Sequence, residues 1–231
     1  IPPTAIRMMM GVEEPAERFD LDLEVIAAGG EPLTPEIPKW AEETLGVLVN
    51  EQYGQTEANL IATTCQQWFE ARPGSMGKPT PGFDVGVLDR ETGEELGTGE
   101  LGEIAVRRDG NPVLFEEYWK QPEKTDAARV GEWHTTGDLA IRDEKGYLWF
   151  KARGDDVIIT SGYRVSPEEV EEALAGHEAV ADAGVIGVPD ERRGEVPKAF
   201  VVTVEGASVP ERDVLMSRVK DRLAPYEYPR E

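Results

Sequence analysis

Glycine and proline interrupt this 231-residue chain so often, with 24 of the first and 17 of the second, that no regular element in it can run long. Short strands and helices between frequent turns are what such a chain can build. Residues 24–28 (Glu-Val-Ile-Ala-Ala) read as a strand stopped by Gly29-Gly30. Pro35 opens a helix through Leu45, which Gly46 ends. Val47-Leu48-Val49 resumes a strand that leads into the turn Tyr53-Gly54-Gln55-Thr56-Glu57. Further strands are expected at 83–88, 103–107, 147–151 and 157–160. Beyond residue 160 helix and strand alternate. Ser166-Pro167-Glu168-Glu169 spells a capping box, and its helix carries Val170, Ala173 and Leu174 on one face. Strands follow at 183–188 and 199–204, then a helix over 211–223. The change of pattern predicts two domains, 1–154 and 155–231, the first α/β and rich in strand, the second a small α+β unit.

Charge narrows the function classes. The 46 acidic residues outnumber 24 basic ones, for a net charge of −22. A nucleic acid or anionic membrane is a poor partner for such a chain, because neutralising phosphates needs a basic face. The excess reads either as a solvated surface or as adaptation to high salt, where screening relieves self-repulsion. The single cysteine, Cys65, excludes an internal disulfide framework and a multi-cysteine zinc site. The two histidines, His134 and His177, stand far apart in sequence. No apolar run approaches the roughly 20 residues of a membrane span, and no signal peptide opens the chain, so a cytoplasmic protein is expected. The start at Ile1-Pro2-Pro3-Thr4 and the loop-like end at Glu231 read as cuts through a longer chain.

Three motifs mislead by spelling. Gly97-Thr98-Gly99-Glu100-Leu101-Gly102 matches G-x-G-x-x-G, but a strand rather than a helix is expected after it. Gly77-Lys78 lacks the leading glycine of a P-loop, and Gly74-Ser75-Met76-Gly77 is one residue short of a nucleophile elbow.

Four segments in order are more specific: Gly29-Gly30-Glu31-Pro32-Leu33, Tyr53-Gly54-Gln55-Thr56-Glu57, Thr136-Gly137-Asp138, and Lys151-Ala152-Arg153-Gly154-Asp155-Asp156 with Ser161-Gly162-Tyr163-Arg164. Together they resemble the adenylate-forming, AMP-binding superfamily, above all its acetyl- and medium-chain acyl-CoA synthetases, over essentially the whole chain. The resemblance implies the C-terminal part of a large AMP-binding domain, a sheet plus a small β-barrel-like subdomain, followed by a truncated α+β lid domain. It implies an acid–thiol ligase that uses ATP, Mg²⁺ and coenzyme A to turn a carboxylic acid into an acyl-AMP and then a thioester. Such a reaction needs donors and metal fixed around developing phosphate charge. By the same resemblance Thr56 binds the α-phosphate, Glu57 holds Mg²⁺, and Tyr53 stacks on adenine against a wall of Gly30, Glu31 and Pro32. Gly54 and Gln55 complete that turn. Asp138 accepts the ribose hydroxyls, with Arg153 in support. Ser161, Gly162 and Tyr163 lie where relatives meet CoA, Arg164 pairs with phosphate as a catalytic residue, and Arg193 contacts CoA phosphate. Asp155 is the expected hinge.

Two expected parts are missing from these residues: the Ser/Thr-rich phosphate loop upstream, and the adenylating lysine beyond residue 231. The 231 residues alone are therefore expected to be inactive. Glu227 stands where relatives often carry a basic residue. Gly54 stands where acetyl-CoA synthetases carry a tryptophan that fills the acyl pocket, which implies an acid larger than acetate. Two alternatives stay open: an adenylation domain that loads a carrier protein, and a non-enzymatic acidic module using Glu91, Glu94, Glu95, Glu100 and Glu103 as a docking strip. The resemblance also leaves room for a homo-oligomer.

Overall fold

The computed structural model describes residues 1–230, apart from the side chain of Arg164. It divides into two compact units, Ile1–Phe150 and Lys151–Glu231.

The first unit opens with helix α1 (Pro3–Met10) and the single turn α2 (Pro15–Arg18). Strand β1 (Val25–Gly29) then pairs in parallel with β2 (Leu48–Gln55), from Val25 opposite Leu48 to Gly29 opposite Gln52. Parallel neighbours need a crossover. Here it is helix α3 (Glu36–Trp40), which widens into a π-type turn over Ala41–Leu45 and stops at the left-handed Gly46. Ile6, Ile26, Ala28, Ile37, Ala41, Val47 and Val49 form the core beneath it. Strands β3 (Asn59–Thr63) and β4 (Lys78–Pro79) complete this sheet in the order β1-β2-β3-β4. The second sheet is antiparallel. It contains β5 (Val85–Leu88), β6 (Leu101–Arg107), β7 (Arg129–Val130), β8 (Trp133–Arg142) and β9 (Leu148–Arg153), in the order β5-β6-β8-β7 with β9 also beside β8. Helix α4 (Pro122–Ala127) precedes β7. Ala58, Ile61 and Ala62 of the first sheet share a core with Val85, Val87, Ile104, Val106 and Ala140 of the second.

In the second unit, β10 (Ile158–Thr160), β11 (Tyr163–Val165), β12 (Val180–Asp190) and β13 (Gly194–Thr203) form a sheet ordered β11-β10-β13-β12. Helices α5 (Pro167–Ala175) and α6 (Arg212–Arg222) pack on it through Val170, Leu174, Leu215 and Val219.

The structure corrects the sequence reading in several places. Residues 133–142, read only as carrying a Thr-Gly-Asp motif, form the ten-residue strand β8. The helix at 3–10 was not expected; its first turn is held by Glu31, whose Oε2 accepts from the Thr4 amide at 3.1 Å and the Thr4 hydroxyl at 2.6 Å. The capping box is half formed. Ser166 Oγ accepts from the Glu169 amide at 3.4 Å, but the Glu169 carboxylate pairs with Lys151 Nζ at 3.1 Å instead of turning back to its cap. The Ser166 hydroxyl also donates to the Lys151 carbonyl at 2.5 Å. Ser166→Ala, which removes both bonds, should lower stability by about 1–2 kcal/mol in urea unfolding. Glu169→Gln, which removes only a half-buried pair, should cost less, at most about 1 kcal/mol.

Candidate functional site

In open α/β sheets ligands sit beyond the carboxyl ends of parallel strands. Two of the predicted segments occupy that edge. Gly30, Glu31 and Pro32 follow β1, while Tyr53, Gly54 and Gln55 end β2 and lead into Thr56 and Glu57. A close backbone approach shapes this edge. A Cβ built on Gly54 would stand 1.9 Å from the Asn59 carbonyl oxygen, and Asn59 is left-handed at φ 57°. In the β2–β3 hairpin as it stands, a side chain at position 54 would need the backbone to shift. The hairpin gives a backbone reason for glycine here, beside the acyl-pocket reason that the resemblance implies.

Alternation along β2 puts Tyr53 and Gln55 on one face. That face meets β8. The Tyr53 hydroxyl donates to Asp138 Oδ2 at 2.6 Å, and Gln55 Nε2 lies 3.0 Å from His134 Nε2. Asp138 and His134 are both buried. Burial, opposed by the Glu57 charge, holds the imidazole pKa below its ordinary value. A neutral ring protonated at Nδ1 accepts from the Gln55 amide at Nε2.

Asp138 reaches Tyr53 because β8 bulges. Ala105 pairs with Thr135 and Glu103 with Leu139, so a step of two residues on β6 is matched by four on β8. Gly137 sits in the bulge at φ 82°, and its amide donates to Glu103 Oε1 at 2.8 Å. Thr136 Oγ1 donates to the Ile104 carbonyl and accepts from the Asp138 amide. Glu103 is only 2% exposed and lies 3.3 Å from Arg90. It therefore cannot belong to an acidic docking strip. Glu95 and Glu100 are also engaged, with Arg142 and the Gly97 amide. The Gly97–Gly102 stretch runs straight into β6, with no helix after it.

Thr56 is exposed, and among the described residues its hydroxyl has no protein partner. Glu57 is gripped at both ends: its carbonyl accepts from the Phe115 amide at 2.7 Å, and Oε1 from the Tyr118 hydroxyl at 2.8 Å. Burial and that bond push the Tyr118 pKa up to about 12, so it remains a donor. Tyr118 and His134 were not singled out as site residues from the sequence. No short motif carries them.

The other predicted residues fall in the second unit. Ser161 (φ 52°) and Gly162 (φ 83°) form the two-residue turn between β10 and β11, both left-handed, as a type I′ hairpin requires. The Ser161 amide donates to the Arg193 carbonyl at 2.8 Å, which brings those two positions together. Tyr163 stacks on Tyr226 with ring centroids 4.3 Å apart. Glu227 is buried beside it and accepts from the Ala224 amide. Arg153 Nε bonds Asp155 Oδ1 at 2.9 Å and holds that carboxyl below its usual range. Arg164 contributes backbone to β11, but its side chain lies outside the described residues. His177 Nδ1 accepts from the Ala179 amide, a local turn contact.

Comparison with known proteins decides the family. The profile of the AMP-binding enzyme family matches residues 1–119, and that of the AMP-binding enzyme C-terminal domain matches residues 169–231. The chain belongs to the AMP-binding enzyme family. An uncharacterized acyl-CoA ligase of Bacillus subtilis, YtcI, is 44% identical over 99% of this chain and 43% of its own length. The acetyl-coenzyme A synthetase of the same organism is 40% identical over 99% of this chain and 41% of its own. Among solved structures, ATP-bound MatB from Rhodopseudomonas palustris superposes with a TM-score of 0.86 at 32% identity, covering 99% of this chain and 45% of MatB. The chain thus spans less than half the length of these relatives. Among the described residues no helix is long and apolar enough to cross a membrane.

One half-buried acid stands beside this edge, and no sequence motif marks it. Glu51 lies on the Tyr53 face of β2, where burial pushes its pKa up to about 7 against the opposing pull of the Leu33 amide. The folded chain therefore keeps a proton that the unfolded chain has lost, between about pH 4.5 and 7. Stability falls as pH rises through that window. Glu51→Gln should raise stability at pH 8 by on the order of 2 kcal/mol and leave it unchanged near pH 4.5. Thermal melts at the two pH values check this.

Proposed function

We propose that this chain is part of an ATP-dependent acyl-CoA synthetase that activates a carboxylic acid as its acyl-AMP and passes the acyl group to coenzyme A. The observation that carries the reading is the Tyr53–Asp138 hydrogen bond at 2.6 Å. It fixes an aromatic ring and a carboxylate next to each other at the carboxyl end of a parallel strand pair. A ring there offers a stacking surface for adenine, and a carboxylate there accepts from ribose hydroxyls. Thr56, with its hydroxyl exposed in the same turn, would donate to the α-phosphate as negative charge builds on it.

The donor set near Glu57 fits a hard cation. Among the described residues no three acidic, histidine or cysteine side chains converge on a metal position. A cation here would therefore rest on one carboxylate plus substrate phosphates, the ordinary habit of Mg²⁺. When bound, it would neutralise phosphate charge. Coenzyme A would pass the Ser161-Gly162 turn, where no atom lies within 4 Å of a Cβ built on Gly162, with Tyr163, Arg164 and Arg193 beside it. Arg153 would support the ribose.

The test is acid-dependent exchange of pyrophosphate into ATP by the complete protein, followed by thioester formation with CoA. Asp138→Ala should raise KM for ATP at least about tenfold, as loss of a charged hydrogen bond does. Absence of exchange across short, medium and aryl acids would overturn the reading. Thioester formed on a carrier domain but not on free CoA would favour the carrier-loading alternative.

Asp155, paired to Arg153 in an exposed link next to Gly154, is the proposed hinge between half-reactions. Asp155→Pro in the complete enzyme should spare adenylate formation and suppress thioester formation. Equal loss of both, measured separately by exchange and by CoA consumption, would reject the hinge.

A further inference from the structure

We propose that Tyr118 is a positioning residue that sets the orientation of the Glu57 carboxylate, and through it the affinity for the metal that accompanies ATP. The inference rests on the functional reading above and adds a residue to it.

A glutamate in an exposed turn ordinarily samples several rotamers, and a carboxylate that must meet a cation loses that freedom on binding. Glu57 does not start free. Its main chain is held by the Phe115 amide at 2.7 Å and by the turn bond from the Ala58 amide to the Gln55 carbonyl at 3.1 Å. Its side chain is held by the Tyr118 hydroxyl at 2.8 Å on Oε1, a bond that leaves Oε2 to turn elsewhere.

Tyr118 is itself well anchored. Its amide donates to Thr125 Oγ1 at 3.0 Å, and Thr125 Oγ1 donates to the Gln121 carbonyl at 3.0 Å. Its ring meets Phe115 edge-to-face at 4.7 Å, and Lys124 Nζ lies 4.2 Å over its face. Phe115 in turn packs edge-on against His134 at 5.1 Å. The segment from Phe115 to Thr125 is thus a brace for one side chain. Groups that hydrogen-bond a metal ligand commonly govern affinity roughly 10–100-fold, because they fix the ligand before the metal arrives.

Tyr118→Phe removes the hydroxyl and keeps the ring. In the complete protein, calorimetry should show ATP affinity in excess Mg²⁺ falling about tenfold. ATP affinity in EDTA should not change. Manganese titrations in the presence of ATP, followed by electron paramagnetic resonance, should show the same loss. Glu57→Gln should abolish the metal-dependent gain, and adding Tyr118→Phe to it should change nothing more. An equal fall with and without Mg²⁺, an effect that persists in the Glu57→Gln background, or no effect in either condition would each overturn the role. If the parent protein bound no ATP at all, the functional reading would fall first and the role of Tyr118 with it.

Discussion

Two hydrogen-bonded pairs tie the parallel strands to the antiparallel sheet, Tyr53 to Asp138 and Gln55 to His134, and the candidate site exists only because both close at once. On β2 the two partners are two residues apart; on β8 they are four apart. A regular strand advances about 3.3 Å per residue, so four residues would overshoot two by about 7 Å. The bulge at Thr136-Gly137 takes up that difference. Its cost is an amide with no ladder partner, and Glu103 supplies one from within the core. A buried carboxylate in the second sheet is therefore what allows an aromatic ring in the first to be held at the carboxyl edge of the parallel strands.

The same logic separates side chains left exposed at this edge from those spent on the fold. Among the described residues Thr56 has an exposed hydroxyl without a protein partner, while Glu31, which the resemblance assigns to the adenine wall, directs its carboxylate to Thr4 in the first turn of α1 and to Arg7 in its last. A carboxylate at a helix N-terminus satisfies orphan amides and complements the dipole.

How much of this was legible in the sequence follows from the range of the interactions. The strand at 25–29, the helix after Pro35, its stop at Gly46 and the helix after Ser166 are written in local pattern, and they stand close to where the pattern puts them. The bulge, the Glu169–Lys151 pair and the Tyr118–Glu57 bond join residues 18 to 61 positions apart or more, and no local spacing encodes them. Glu103 looked like one glutamate in an acidic turn because burial is a property of the fold. Gly54, read for its missing side chain, also has a backbone constraint that the sequence does not show: a carbonyl 1.9 Å from where a Cβ would be.

The Ser161-Gly162 turn has a consequence for recognition. Ser161 carries a side chain in a left-handed conformation that costs roughly 1–2 kcal/mol, and the Arg193 carbonyl holds it there. A loop stiffened in this way has already lost its conformational freedom during folding. A flexible ligand laid against it has only its own disorder left to surrender, which shifts discrimination among ligands from adaptability toward shape.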